Sequence, residues 1–415
     1  MSRSSPALGG GAAGGGALRL DLVGRPGSRL CSVSAPDAEA VRSIWADHLP
    51  LFLTTAALPL LDDWAATNRA RAQADDSSAP QPYRQSRHGP GHTPAEAASL
   101  IGFLRAQAEA DTPFSFNALW RERQGGRSYP FYIEDYAGPL TISKNAYEDA
   151  GKAKTRRLLA AIRRDVRGCM EPPVGYTLLS GDFRSCHGHI AAALTDDQQL
   201  AHDLESDFHQ AIGDQLVGST VPPNRRRDFG KAFDNAMLFG VTPVGLQRNI
   251  LEEFGKEVGL TWAKKQWAWW WRRYPALAAF RDEVIALVAQ AQQSNMALEL
   301  IAPSGRVSRF SAAEVMGQVA KGSGKLAKGP SGVWRSVFSA CFRAVEGDLL
   351  DRTLAHWHEQ EKLIECGRLV MPLYDALYVA AESGTGGMVA CALRAAAERA
   401  AEELGIPEMK LVVTP

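Results

Sequence analysis

Apolar residues recur at three-to-four spacing through "APDAEAVRSIWADHLPLFL" and "LPLLDDWAATNRARA", which predicts helix over residues 37 to 73. A polar stretch, "DDSSAPQPYRQSRHGPGHTP" (75 to 94), has linker composition, and "PAEAASLIGFLRAQAEA" resumes a helix. From about residue 165 short strand-like runs alternate with helices, and a large helical insertion is expected between about 221 and 330. The run "YTLLSGDF" has the length and apolar content of a buried strand, with a lone aspartate, Asp182, near its end. The "TDDQ" at 195 to 198 has the form of a capping box, so a helix is expected to start there.

Two later patterns follow the same logic. "PPNRRRDFGKAFDNAMLFGVTPVGL" (222 to 246) opens with prolines and an asparagine suited to an N-cap and runs about four turns without a breaker. Its Arg227, Lys231, Asn235 and Phe239 succeed one another at intervals of four and form one stripe, while Phe229, Ala232, Phe233 and Ala236 can pack on the other side. "RLVMPLYDALYVAAESG" (368 to 384) places two apolar runs around Tyr374, Asp375 and Ala376, which reads as a hairpin with the aspartate at its bend. Pro372 weakens a regular strand there, since it donates no ladder hydrogen bond.

Composition narrows the classes. With 415 residues and 45% hydrophobic content the chain can bury a large core divided into two or three lobes. The 46 basic and 46 acidic side chains cancel, so any nucleic-acid contact must come from local charge. Six scattered cysteines, with no pair at two-residue spacing, suit reduced thiols rather than a disulfide scaffold. Residues 1 to 28 are Gly/Ala-rich, lack an apolar signal core and are expected to form a mobile tail. No run of about 18 apolar residues occurs, so a cytoplasmic protein without membrane attachment is expected.

Cys186, His187 and His189 invite a metal reading, but their one-to-three spacing suits convergent zinc ligation poorly. Open α/β sheets place working residues near strand ends, which favours Asp182 as the chemical group. The stripe on the later helix sets a guanidinium and an ammonium one turn apart, a spacing that suits neighbouring phosphates of a triphosphate, followed by a ring on which a base can stack.

A strand-end aspartate, a cationic helix and a hairpin aspartate, in that order, resemble motifs A, B and C of the DNA polymerase I-like, or family A, DNA polymerases. The resemblance spans about residues 162 to 415. "IRRDVRGCMEPPVGYTLLSGDFRSCHGHIAAALTDD" is similar to the segment around the family's first catalytic aspartate, "ESDFHQAIG" to its "D-I-H" segment, and "RRYPALAAFRDEVIALV" to its "R-Y-P" fingers helix. "PSGRVSRF" resembles the "G-R-R" turn, and "WRSVFSACFRAVEGDLLDRTL" the helix before motif C.

The resemblance implies an α/β fold of the α+β right-hand polymerase type: a palm sheet, a helical fingers insertion and a helical, thumb-like N-terminal portion. After the low-complexity tail over 1–28, the expected divisions are a thumb-like region over 29–161 with its linker at 75–94, palm over 162–220 and 331–415, and fingers over 221–330. Asp182 and Asp375 would be the catalytic residues and, with the Phe183 carbonyl, would hold two magnesium ions, for which manganese can substitute. Arg227, Lys231, His209, Phe239, His187 and Asn235 would line the nucleotide site; Arg335, Ser339, Arg343 and Tyr374 would meet primer-template. The implied partners are primer-template DNA, dNTPs and accessory replication proteins.

Departures from the family pattern are informative. The glutamate after the motif A aspartate is His187, the fingers aromatic is Asn235, its tyrosine is Phe239, and "H-D-E" becomes "Y-D-A", so Ala376 removes an accessory carboxylate. Ser339 and Arg343 stand where the family has asparagine and glutamine. The paired change at His187 and Phe239 predicts relaxed sugar selection. "GPLTISKNAY" (138 to 147) is a faint echo of the template segment, and with no exonuclease "D-x-E" upstream, proofreading is not expected. The tryptophans of "TWAKKQWAWWWRR" are expected to pack, "AKGSGKLAKGP" to form a basic loop, and His356 and His358 to lie on a helix surface. Two alternatives stay open: a single-subunit RNA or priming polymerase, and a nucleic-acid-binding replication or defence protein with a decayed palm.

Overall fold

The computed structural model describes residues 17–34, 49–75, 94–113, 116–118, 131–133, 162, 164–217, 222–254, 257–317, 332–373 and 375–415. Along the chain, β1 (Ala17–Asp21) and β2 (Phe52–Leu53) precede helices α1 (Ala57–Asp75) and α2 (Pro94–Ala110), and the short β3 (Phe116–Ala118), β4 (Phe131–Ile133) and β5 (Met170–Glu171) follow. Next come β6 (Tyr176–Phe183), α3 (Cys186–Thr195), α4 (Gln198–Leu204), α5 (Phe208–Val217) and α6 (Pro223–Leu238). Then α7 (Pro243–Phe254), α8 (Leu260–Arg273) and α9 (Pro275–Gln293) lead to the hairpin of β7 (Ala297–Ile301) and β8 (Val307–Phe310). The long α10 (Val333–Ile364), β9 (Gly367–Leu373), β10 (Ala376–Glu382), α11 (Gly386–Glu403) and β11 (Leu411–Thr414) complete the order.

The central sheet is antiparallel, in the order β11-β6-β10-β9. Period-two alternation sends Leu179, Gly181 and Phe183 of β6 inward and leaves Asp182 exposed between them. On the inward face a Cβ at Gly181 would come within 2.9 Å of Leu411 and 3.1 Å of Leu393, so glycine admits the close seat of α11. The alanine-rich α11 in turn packs against α10. Arg306, in the turn between β7 and β8, is tied to Asp348 and, at 2.6 Å, to Asp351, two buried carboxylates of α10. No helix among the described residues is long and apolar enough to cross a membrane.

Several local expectations are corrected. Residues 17–21, expected within a mobile tail, form β1, which pairs in parallel with β7 because its alternating Leu18 and Leu20 can join the core there. Within the stretch expected to be helical over 37 to 73, Phe52 and Leu53 pair with β5 and helix begins only at Ala57. The capping box is displaced: Thr195 is the buried last residue of α3, donating to the Ala191 carbonyl, and Asp197 is the N-cap of α4. Asp197 also accepts from the Ala276 and Leu277 amides, so one carboxylate caps two helices. His356 is buried, 3.1 Å from Glu403 of α11, because α10 is covered on that side. The tryptophans do pack, with Trp270 and Trp271 buried and Trp262, Trp267 and Trp269 against the core. The segments 138–147 and 320–330 lie outside the described residues.

Candidate active site

Hairpin β9–β10 brings two carboxylates to one end of the sheet. Ala376 pairs with Asp182 across the strands, and the Phe183 amide donates to the Asp375 carbonyl at 3.1 Å, so the hairpin bend is fastened beside the end of β6. Asp182 is exposed and Asp375 half-buried. Two carboxylates and a backbone carbonyl are hard oxygen donors, a set that fits magnesium, which keeps several of its waters. Tyr374 lies outside the described residues.

After β6 the chain turns through Ser185, at φ 49 and ψ 39, and enters α3 without a side-chain cap. The three soft-ligand candidates then part. Cys186 is buried in the core, the His187 ring reaches Glu346, and His189 lines a cleft with Arg29, Arg184, Glu408 and Lys410. Burial holds His189 at about 4. Among the described residues, no group of three or more histidine, cysteine or acidic side chains is gathered to hold a metal.

Helix α6 starts with Pro222 as N-cap, ahead of the asparagine expected there, and ends at Phe239 and Gly240, the latter at φ 71. Its stripe emerges as read: Arg227 and Lys231 are exposed, Asn235 and Phe239 half-buried, and Phe229 and Phe233 fill the core behind. Arg227 Nε donates to Asp207 at 2.9 Å. His209, on α5, has its Nδ1 2.8 Å from Asp234 of α6 and its Nε2 3.4 Å from Ser185 Oγ. Burial, reinforced by the charges of Lys231 and Arg227, lowers His209 to about 4, whereas burial raises Asp234 well above the usual carboxylate range. Alternating glycines bring α5 and α6 together: a Cβ on Gly230 would lie 1.8 Å from the His209 carbonyl oxygen, and one on Gly213 2.0 Å from that of Arg226.

The end of α6 meets α3 and α10. The His187 ring sits edge-on to Phe239 with centroids 4.9 Å apart, and its Nε2 donates to the buried Glu346 at 2.8 Å. Arg335, Ser339 and Arg343 follow at four-residue spacing on α10. Arg335 lies beside Gly240, Arg343 donates to the buried Ser339 at 3.0 Å, and its guanidinium stands 6.0 Å from the Phe239 ring centroid.

No protein-family model and no curated protein matches the chain. Among solved structures, the POL domain of Pol1 from M. smegmatis, in complex with DNA primer-template and dNTP, is similar at a TM-score of 0.53 and 16% identity. The match covers 90% of this chain and 67% of that one. The chain thus has a polymerase-like fold.

Within that polymerase-like fold, sequence reasoning missed Glu346 and Asp234. Each is a carboxylate buried to 2% exposure or less whose partner, His187 or His209, comes from another element. A signal existed for Glu346, since it interrupts a run of apolar residues in "CFRAVEGDLL". None existed for Asp234, which sits among polar residues of an amphipathic helix. Asp203 was also passed over. It accepts from Arg273 at 2.7 Å and from the Tyr274 hydroxyl at 2.8 Å, so the arginine and tyrosine of "RRYP" serve to anchor α4.

Proposed function

We propose that the protein is a template-directed DNA polymerase of the family A type, transferring nucleotides from dNTPs to a primer 3′-hydroxyl without proofreading. The observation that carries this reading is the Phe183–Asp375 backbone bond, which fastens the bend bearing Asp375 beside the end of β6 that bears Asp182. The polymerase-like fold supports it independently.

In this reading the central sheet is the palm, α6 to α9 with the β7–β8 hairpin belong to the fingers, and the N-terminal helices are thumb-like. Asp182, Asp375 and the Phe183 carbonyl would hold two magnesium ions, which when bound would supply activation of the primer hydroxyl and charge neutralisation for the leaving pyrophosphate. Arg227, Lys231 and His209 bind and orient the triphosphate, and the positive charge of Arg227 and Lys231 with the hydrogen-bonding His209 ring favours the charge that develops in the in-line transition state. Asn235 and Phe239 face the base and sugar, and Arg335, Ser339 and Arg343 hold the primer-template from α10. The His187–Glu346 bond beside Phe239 favours, as a second reading, an enzyme that also accepts ribonucleotides, because a fixed imidazole can hydrogen-bond a 2′-hydroxyl.

The test is primer extension with dNTPs and rNTPs on DNA and RNA templates. Wild type is expected to extend, and Asp182→Asn and Asp375→Asn are each expected to abolish incorporation while primer-template binding persists. Extension at the wild-type rate by either variant overturns the two-carboxylate assignment.

A further inference from the structure

Helix α8 presents a face that packing does not explain. Its inner side is fixed: Ala263, Trp270 and Trp271 are buried, and Trp267 Nε1 donates at 2.8 Å to the carbonyl of Val241, two residues past Phe239. The outer side carries Trp262, Lys265, Trp269 and Arg272 at intervals of three or four, so rings and cations alternate along one stripe with Lys264 on its shoulder. Trp262 and Trp269 are half-buried, which leaves part of each ring open to solvent, whereas Lys264, Lys265 and Arg272 are exposed. Arg273 is held by Asp203 at 2.7 Å and stands 5.8 Å from the Trp269 ring centroid, so that ring is braced rather than free to turn.

The charge is as one-sided as the geometry. In a chain whose 46 basic and 46 acidic side chains cancel, α8 holds Lys264, Lys265, Arg272 and Arg273 and no acidic residue. Among the described residues, Lys264, Lys265 and Arg272 form no ion pair. The helix dipole favours Arg272 at the C-terminal end but gives Lys264 and Lys265, in the N-terminal half, no stabilisation. Unpaired cations interleaved with partly open aromatic rings fit a single-stranded polynucleotide, whose phosphates meet the cations while its bases stack on the rings without regard to sequence. A duplex keeps its bases stacked on one another and would use the charge alone.

We propose that the outer face of α8 binds the unpaired template strand ahead of the site of incorporation. The inference rests on the polymerase reading above. In that reading Phe239 faces the base and sugar of the incoming nucleotide, and the Trp267–Val241 bond seats α8 behind the end of α6 that bears Phe239. Template that is not yet copied is therefore the single strand that passes nearest this face. At a rise of about 1.5 Å per residue the helix is about 21 Å long, room for more than one nucleotide.

Fluorescence anisotropy on the full chain tests this, with primer-templates that share one duplex and differ only in the unpaired 5′ extension of the template, about 2 or about 12 nucleotides long. Wild type is expected to bind the longer extension about tenfold more tightly. Its plot of log Kd against log salt should also steepen by about 2 on the longer extension, from three cations at about 0.7 each. The variant Lys264→Ala, Lys265→Ala, Arg272→Ala, altered only at exposed positions, is expected to match wild type on the short extension and to lose both gains on the long one. Trp269→Leu is expected to lose part of the gain in affinity with the salt slope unchanged, since it removes stacking and no charge. Equal binding of the two extensions by wild type, or an undiminished gain in the triple variant, overturns the proposal. So does a gain of the same size when the extension is made double-stranded, because charge alone would then account for it. Primer extension on the short substrate reads the polymerase function separately: wild type and the triple variant are expected to extend it alike, and inactivity of both would overturn the polymerase reading while the binding result stands.

Discussion

Replacing Gly230 by alanine would set a methyl carbon 1.8 Å from the His209 carbonyl oxygen and 2.8 Å from the Gly213 amide nitrogen, where ordinary contact begins at 3.4 Å. Both nearest neighbours are backbone, so no side chain can swing aside and the helices must part. Relief requires a shift of roughly 1.5 Å, the shortfall from normal contact in a close-packed interior. That shift stretches the 2.8 Å His209–Asp234 bond beyond hydrogen-bonding range and leaves a fully buried carboxyl group without it. Overpacking costs about 1–3 kcal/mol and the lost buried bond about 1–3 more, so a destabilisation of about 4 kcal/mol is expected. At roughly 2.1 cal/mol/K of unfolding entropy per residue, that is a fall in Tm of about 5 °C for a chain of 415 residues. The assay is thermal denaturation followed by circular dichroism, with Gly102→Ala as control: Gly102 lies in α2, where an added methyl would meet nothing within 4 Å, so its variant should match or slightly exceed wild type. A Gly230→Ala protein that melts within about 2 °C of wild type would refute the reasoning, since it would mean that α5 and α6 are not locked at this contact.

Arg227→Ala and Lys231→Ala should raise the nucleotide requirement with little change in the salt dependence of duplex binding; a reduced salt slope would move both residues to a phosphate-backbone patch. Wild type should admit ribonucleotides more readily than the triple variant His187→Glu, Phe239→Tyr, Glu346→Gln, the last change being needed because two carboxylates would otherwise face each other in a buried space. An equal dNTP-to-rNTP efficiency ratio in the two proteins would refute that expectation. Because burial leads the lowering of both His189 and His209 to about 4, the unfolded chain binds more protons between pH 4 and 6.5, so stability should be complete above pH 6.5 and fall as pH drops to 4. Denaturant titrations across that window check this, and His189→Asn should flatten the slope.

Short-range pattern alone determined the parts of this protein that local physics controls. The alternation in "YTLLSGDF" implied a strand with Asp182 at its end, the four-residue rhythm of Arg227, Lys231, Asn235 and Phe239 implied one helix face, and "YDA" between apolar runs implied a bend. Each depends on hydrogen bonds within an element or between neighbours in sequence, so periodicity and turn chemistry carry it. Tertiary structure decided which polar groups would be paired. Leu18 and Leu20 found a parallel partner at Ala297–Ile301, far along the chain, and so became strand. Asp197 outcompeted Thr195 as a cap because α9 brought two further amides to its carboxylate. Glu346 and Asp234 tolerate burial because α3 and α5 each deliver a histidine to them, and α5 can do so because Gly213 and Gly230 let two backbones approach without a Cβ between them. A buried carboxylate is costly until its partner arrives, and that partner is set by which helices meet, a property of the packed molecule that no local window of residues contains.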